Sequence, residues 1–361
     1  QLLSSNFGEL HWRHLFLFFS SPLQVRLQQR EILSFTQLYL CSSRLPHRGQ
    51  CSMASLTVPE IVPSAVEDCE NLRKAMEGFG TDENSIISIL GHRDASQIRS
   101  IRENYQLLYN ESLIDRLHGE LSGDFRKAVI LWTYDASERD ARLANEALKG
   151  KRKGIKNLEI LAEIACASSP SHLIAVRKAY CSLFDCSLEE DIASHVEMPL
   201  RKILVGIVSA YRYDKETLEA ELAESDAAKL REAMKCKQLN SDEVVCILST
   251  RSTHHLKHTF DTCKEIFAGG NGDVEALVRV VIECIVSPER HFAEVIGRSM
   301  VGLGTDEDAL TRCVVGRARI DMVGIKREYL KMQRGSLERA VNGDTSGHYR
   351  LFLMTLLGAS D

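Results

Sequence analysis

The segment Met76-Glu77-Gly78-Phe79-Gly80-Thr81-Asp82-Glu83 returns almost intact as Met300-Val301-Gly302-Leu303-Gly304-Thr305-Asp306-Glu307. An acidic residue follows each copy at one distance: Gly80 to Glu120 and Gly304 to Asp344 both span 40 positions. Each acid opens a similar phrase, Glu120-Leu121-Ser122-Gly123-Asp124-Phe125-Arg126 and Asp344-Thr345-Ser346-Gly347-His348-Tyr349-Arg350. A glycine loop and a remote carboxylate, kept together twice, indicate one composite site built twice. Glycine permits the positive φ that a tight, carbonyl-presenting turn needs. Carbonyls plus a carboxylate suit a hard cation such as calcium, which takes roughly six to eight oxygens in loose geometry.

Around these segments the pattern is helical, with a repeat near 75 residues. The first unit parses into five helices. One runs from about Ser64 to Met76; the second starts at Thr81 as N-cap, with Asp82 and Glu83 in its first turn, where the helix dipole favours anions. The third follows Asp94 and carries Ile98, Ile101, Tyr105 and Leu108 at helical spacing; the fourth covers about Ser112 to Leu121, and the fifth starts at Asp124. The third helix has counterparts ending in Tyr180 and Tyr329, and more loosely Cys263. The fifth has counterparts at Leu200, Leu277 and Tyr349. The expected units are 64–134, 135–210, 220–286 and 287–357, preceded by a short tail at 53–63.

The chain has 361 residues, 44% hydrophobic and 26% charged, which is enough for a large buried core and excludes a disordered chain. Only 7 prolines and 6% aromatics favour helix. The net charge of -5 argues against sequence-independent nucleic-acid binding, which wants a basic surface. Adhesion to an anionic membrane would need a bridging cation or a local basic patch. The 11 cysteines form no Cys-x-x-Cys pair and read as reduced, mostly buried thiols of a cytosolic protein. No apolar run is long enough to span a bilayer as one helix.

Residues 1–52 differ from the rest. They carry only Glu9 and Glu31 as acids, against five arginines, and precede Met53-Ala54-Ser55-Leu56, which reads as an ordinary protein start. The segment is expected to be an extension outside the folded protein, with a targeting segment as the alternative.

Four repeats of about five helices, with Gly-x-Gly-Thr and a carboxylate 40 positions on, resemble the annexin family, and over 53–361 the chain is similar to plant-type annexins. The resemblance implies an all-α fold whose four repeats form a slightly curved disc. It implies Ca2+ as cofactor, held in the first repeat by the carbonyls of Met76, Gly78 and Gly80 with the Glu120 carboxylate. In the fourth repeat the implied ligands are Met300, Gly302, Gly304 and Asp344. The implied function is calcium-dependent binding to acidic phospholipid membranes by a cytoplasmic protein that becomes peripheral on membranes when calcium rises. The family also admits stress-response roles, cytoskeletal contact or self-association at membranes; no nucleic-acid partner is expected.

The middle repeats depart from the pattern. The second reads Leu148-Lys149-Gly150-Lys151-Arg152-Lys153-Gly154-Ile155, with His195 in the acid slot; the third keeps Asp273 but Met234-Lys235-Cys236-Lys237-Gln238-Leu239-Asn240-Ser241 lacks both glycines. Neither is expected to hold calcium in this way. Lys149, Lys151, Arg152, Lys153 and Lys156 make the second loop strongly basic, and it is expected to touch anionic lipid without metal.

Two alternatives stand beside membrane binding: an ion-conducting protein using polar residues between the repeat pairs, and a peroxidase-like enzyme centred on His92. A histidine at a helix end is more often a cap. Asp321-Met322-Val323-Gly324 has the form of a GTPase motif but lacks a phosphate-binding loop. A non-enzymatic protein is expected.

Overall fold

The computed structural model describes residues 53–78, 80–150, 154–213, 218–262, 272–302 and 304–359. The extension 1–52 lies outside the described residues, as do Lys151, Arg152 and Lys153 of the basic loop. The described residues form helices and connections without strands.

The first group is α1 (Ala65–Ala75), α2 (Glu83–Leu90), α3 (Ala95–Tyr109), α4 (Leu113–Glu120) and α5 (Gly123–Thr133). The second is α6 (Ala136–Lys149), α7 (Ile155–Cys166), α8 (Pro170–Phe184), α9 (Leu188–His195) and α10 (Leu200–Val208). The third is α11 (Ala220–Lys235), α12 (Asp242–Thr250), α13 (Thr253–Asp261) and α14 (Asp273–Val286), with residues 263–271 between the last two not described. The fourth is α15 (Pro288–Ser299), α16 (Glu307–Arg317), α17 (Met322–Gln333), α18 (Leu337–Asp344) and α19 (Gly347–Leu357).

Local chemistry explains the boundaries. Ser64 caps α1 by accepting from the Glu67 amide, and Asp94 with Gln97 forms a reciprocal capping box at α3. The second helix starts one residue later than the sequence reading. Asp82, not Thr81, is the N-cap, accepting from the Ser85 amide at 3.0 Å, and the Thr81 hydroxyl is used elsewhere. A device that the sequence reading missed recurs three times. Asn110, Asp185 and Arg334 sit in left-handed conformation, with φ of 49°, 55° and 55°. Each closes a third helix, and two residues later Ser112, Ser187 or Ser336 caps the next one. The turn returns the amide of each left-handed residue to a helix carbonyl that would otherwise lack a donor.

In every group the first helix packs on the third: α1 on α3, α6 on α8, α11 on α13 and α15 on α17. The groups then pair, the first with the fourth through α5 against α16 and α19, the second with the third through α7 against α14. Trp132 of α5 is fully buried, donates Nε1–H to the Leu90 carbonyl at 2.7 Å and lies under the Arg319 guanidinium, 3.4 Å from the ring centroid. The tail docks on the fourth group. The Ser55 amide donates to the Ala318 carbonyl at 2.9 Å and the Met53 carbonyl accepts from Val323 at 2.9 Å.

Buried charges are paired. Asp68 holds Arg93 through two bonds of 2.7 and 2.8 Å, and Asp226 repeats the pairing with Arg251 at 2.7 Å. At the junction of the second, third and fourth groups, Glu163 (α7), Glu283 (α14), His291 (α15) and Arg312 (α16) form one cluster. Both His291 ring nitrogens face carboxylates, Nε2 to Glu163 at 3.1 Å and Nδ1 to Glu283 at 3.2 Å. Both nitrogens can donate only when the ring is an imidazolium. Burial pushes the His291 pKa down, but Cys284 and Glu283 beside it more than reverse that, to about 10.

Two expectations follow. Asp68→Ala leaves Arg93 buried without its partner and should lower unfolding stability by about 3–5 kcal/mol in urea titrations. The raised His291 pKa means that its contribution is complete below the ordinary value of 6.5 and is lost as pH climbs towards about 10. Between those limits the melting temperature of the parent should fall faster than that of His291→Gln, as read by calorimetry.

Candidate functional site: the duplicated loops

The two loops superpose in their torsions. Met76 ends α1 at φ -110° and ψ 9°, and Met300 ends α15 at φ -108° and ψ 13°. Gly78 and Gly80 have φ of 99° and 95°; Gly302 and Gly304 have 112° and 93°. No neighbouring atom would crowd a Cβ at these four positions, so glycine is required by the backbone and not by space. Each loop closes with a 2.8 Å bond, from the Asp82 amide to the Ala75 carbonyl and from the Asp306 amide to the Ser299 carbonyl. The Ser85 hydroxyl and amide hold the Asp82 carboxyl below its ordinary range. Among the described residues, no backbone amide donates to the carbonyls of Gly78, Gly80, Gly302 or Gly304.

Each remote acid comes back to its loop. Glu120 is the last residue of α4 and Asp344 the last of α18, helices of eight residues each. The Thr81 hydroxyl donates to Glu120 Oε2 at 3.0 Å, and the Thr305 hydroxyl to Asp344 Oδ2 at 2.5 Å, both across 39 positions. The structure thus ties each acid singled out in the sequence to the glycine loop of its own group through a threonine. The two threonines are further members that the sequence reading used only as caps.

The donor chemistry fits a hard cation, and the first cluster holds a stand-in for one. The Arg116 guanidinium donates to the Met76 carbonyl and pairs with Glu120 Oε1 at 3.0 Å. Its Nε is buried without a hydrogen-bond partner, so the group is placed by the carbonyl and the carboxylate. Sequence reasoning missed Arg116. The i, i+4 spacing to Glu120 was visible, but not which carbonyl the side chain reaches. An open pocket beside Asp344 is lined by Glu83 and Asp124 from the first group and by Glu307 and His348 from the fourth, with Phe125 and His348 rings 5.8 Å apart.

The middle groups differ. His195 points its Nδ1 at the Asp191 carbonyl of its own helix, 2.8 Å away. The Lys149 ammonium pairs with the Asp191 carboxylate at 2.7 Å. Lys149, expected as a lipid contact, thus has an acidic partner within the protein while its side chain remains 38% exposed. Lys156 is exposed at the start of α7. In the third group Met234 and Lys235 are still helical, and Leu239 is buried in the loop. The Gln238 carbonyl already accepts from Ser241 at 3.0 Å. Asp273 opens α14 instead of closing the helix before it.

The other residues singled out in the sequence have local roles. His92 Nδ1 lies 3.0 Å from the Ser88 carbonyl, one turn back, as a helix-end cap does. Asp321 is paired with the buried Arg317 guanidinium, and Gly324 lies inside α17.

Comparisons with known proteins place the chain in a family. The Annexin family model matches residues 67–132, 139–207 and 291–356. Annexin D3 of Arabidopsis thaliana is 50% identical over 319 residues, covering 85% of this chain and 99% of that protein. The solved structure of annexin III matches with TM-score 0.79 at 30% identity, covering 87% of this chain and 98% of the other. A calcium-bound annexin (Sm)1 structure matches with TM-score 0.73 at 27% identity, covering 86% and 94%. With its duplicated loops, paired helical groups and relatives matched over nearly their full length, the chain belongs to the annexin family, whose general activity is calcium-dependent phospholipid binding.

Proposed function

We propose that this chain binds acidic phospholipid membranes when calcium rises, through two sites. One is formed by the carbonyls of Met76, Gly78 and Gly80 with Glu120, the other by those of Met300, Gly302 and Gly304 with Asp344. The observation that carries this reading is the duplication itself: two loops with matching torsions, each tied by a threonine to a carboxylate 39 positions away. Bound calcium would supply a positive charge shared between these oxygens and a lipid phosphate. Three carbonyls and one carboxylate fall short of the roughly six to eight oxygens calcium prefers, which leaves room for lipid and water oxygens.

The protein's own part is to hold the oxygens in place and leave the loop open. The glycines of both loops are exposed, and Val301 beside them is 75% exposed, an apolar side chain suited to the headgroup boundary. No helix among the described residues is long and apolar enough to cross a membrane. A cytoplasmic protein recruited to membranes by calcium fits this reading. Lys156, with the neighbouring basic residues of the second loop, adds a metal-free contact to anionic lipid.

Glu120→Gln and Asp344→Asn keep shape and remove charge; the exposed Asp344 should cost less than about 0.5 kcal/mol of stability, and the partly buried Glu120, paired with Arg116, about 1 kcal/mol. In calcium-titrated co-sedimentation with phosphatidylserine vesicles, each single variant should need more calcium. The double variant should stay in the supernatant at calcium levels that suffice for the parent. Parent-like sedimentation of the double variant would exclude these carboxylates as ligands. Gly78→Ala and Gly302→Ala should act in the same direction, because each forces a Cβ into positive φ and costs about 1–2 kcal/mol in the loop conformation. The readout is again the calcium midpoint for vesicle binding.

A further inference from the structure

We infer that Arg116 is a built-in competitor for calcium at the first loop, so that the two sites fill at different calcium concentrations. The inference rests on the reading of both loops as calcium sites and goes beyond it by ordering them. The helices that carry the two acids align without a gap: Leu113-Ile114-Asp115-Arg116-Leu117-His118-Gly119-Glu120 and Leu337-Glu338-Arg339-Ala340-Val341-Asn342-Gly343-Asp344. Arg116 and Ala340 therefore occupy the same position, one turn before the acid.

The chemistry at that position is opposite in the two sites. The Arg116 guanidinium bridges the Met76 carbonyl and the Glu120 carboxylate, the first and last oxygens of the proposed ligand set. Its side chain and that of Glu120 are 27% and 25% exposed, so water screens the pair only in part. At the fourth-group site, Asp344 accepts from Thr305, and among the described residues no lysine or arginine is paired with it. The loop tips differ in the same sense. Glu77 is drawn back by Arg73 at 2.6 Å, while Val301, its counterpart, stands free.

A calcium ion drawing on the Met76 carbonyl and Glu120 Oε1 has to displace the Arg116 guanidinium that bridges them. Even when displaced, its charge stays within a side-chain length of the site and opposes a second cation. The fourth-group site has no such cost. It is the high-affinity site, and the first-group site engages only at higher calcium, giving the protein a graded attachment. A partly buried ion pair with one charge-assisted bond to a carbonyl corresponds to a roughly 3- to 10-fold difference in calcium midpoint.

The test follows the melting temperature of the full chain against calcium without lipid, because a ligand that binds the native state raises it with the logarithm of one plus free ligand over Kd, so the calcium concentration giving a fixed rise, taken as the midpoint, reports affinity. Asp344→Asn isolates the first site and Glu120→Gln the second. Arg116→Ala on the Asp344→Asn background should lower the calcium midpoint roughly 3- to 10-fold. On the Glu120→Gln background it should change nothing. The converse variant, Ala340→Arg on the Glu120→Gln background, should raise the midpoint by a similar factor, and it keeps the test valid if Arg116→Ala fails to fold. Unchanged midpoints for both Arg116→Ala and Ala340→Arg, with the carboxylate variants still shifting theirs, would overturn the competitor role alone. If Glu120→Gln and Asp344→Asn both titrate like the parent, the site reading falls and the inference falls with it.

Discussion

Two hydroxyl-to-carboxylate bonds, Thr81 to Glu120 and Thr305 to Asp344, tie the loop after the first helix of a group to the end of its fourth helix. They mark where the loop and the acid of each group meet. The bond is possible because the first helix packs on the third, and the third is turned back by a left-handed residue into a serine-capped fourth. The position of the carboxylate is thus a consequence of helix packing and of two caps, each worth about 1 kcal/mol.

The four groups solve one problem of charge in different ways. At the position one turn before the end of the fourth helix stand Arg116, Asp191 and Ala340 in the first, second and fourth groups. Arg116 faces an acid and a carbonyl; Asp191 receives Lys149 from the preceding loop; Ala340 leaves its acid to a hydroxyl. In the second group the acid stands on the helix and the base comes from the loop, and the two pair within the protein. In the third group the loop is filled by Leu239 and its Gln238 carbonyl is spent on a turn. The fold persists through all of these, because the helices are held by apolar faces and not by the loops.

Between groups, buried ion pairs are placed where removing one member would strand the other. Asp68 with Arg93 and Asp226 with Arg251 repeat at the same separation in the first and third groups. The cluster of Glu163, Glu283, His291 and Arg312 joins helices from three groups. Such pairs add little net stability over apolar packing but penalise misalignment strongly.

The sequence by itself determined the helical repeat, the two loops and the acids that serve them. Periodicity, glycine and spacing are local properties, and a duplicated motif announces its own equivalence. Helix starts at Ala95 and Leu113 followed from capping residues for the same reason. What the tertiary structure alone decided is which partners the polar atoms find. That Thr81 serves Glu120 instead of capping α2, that Arg116 reaches Met76, and that Lys149 is consumed by Asp191 depend on side chains from different helices meeting in space. Sequence spacing places residues along a helix. It does not say which face of a neighbouring helix lies within hydrogen-bond reach.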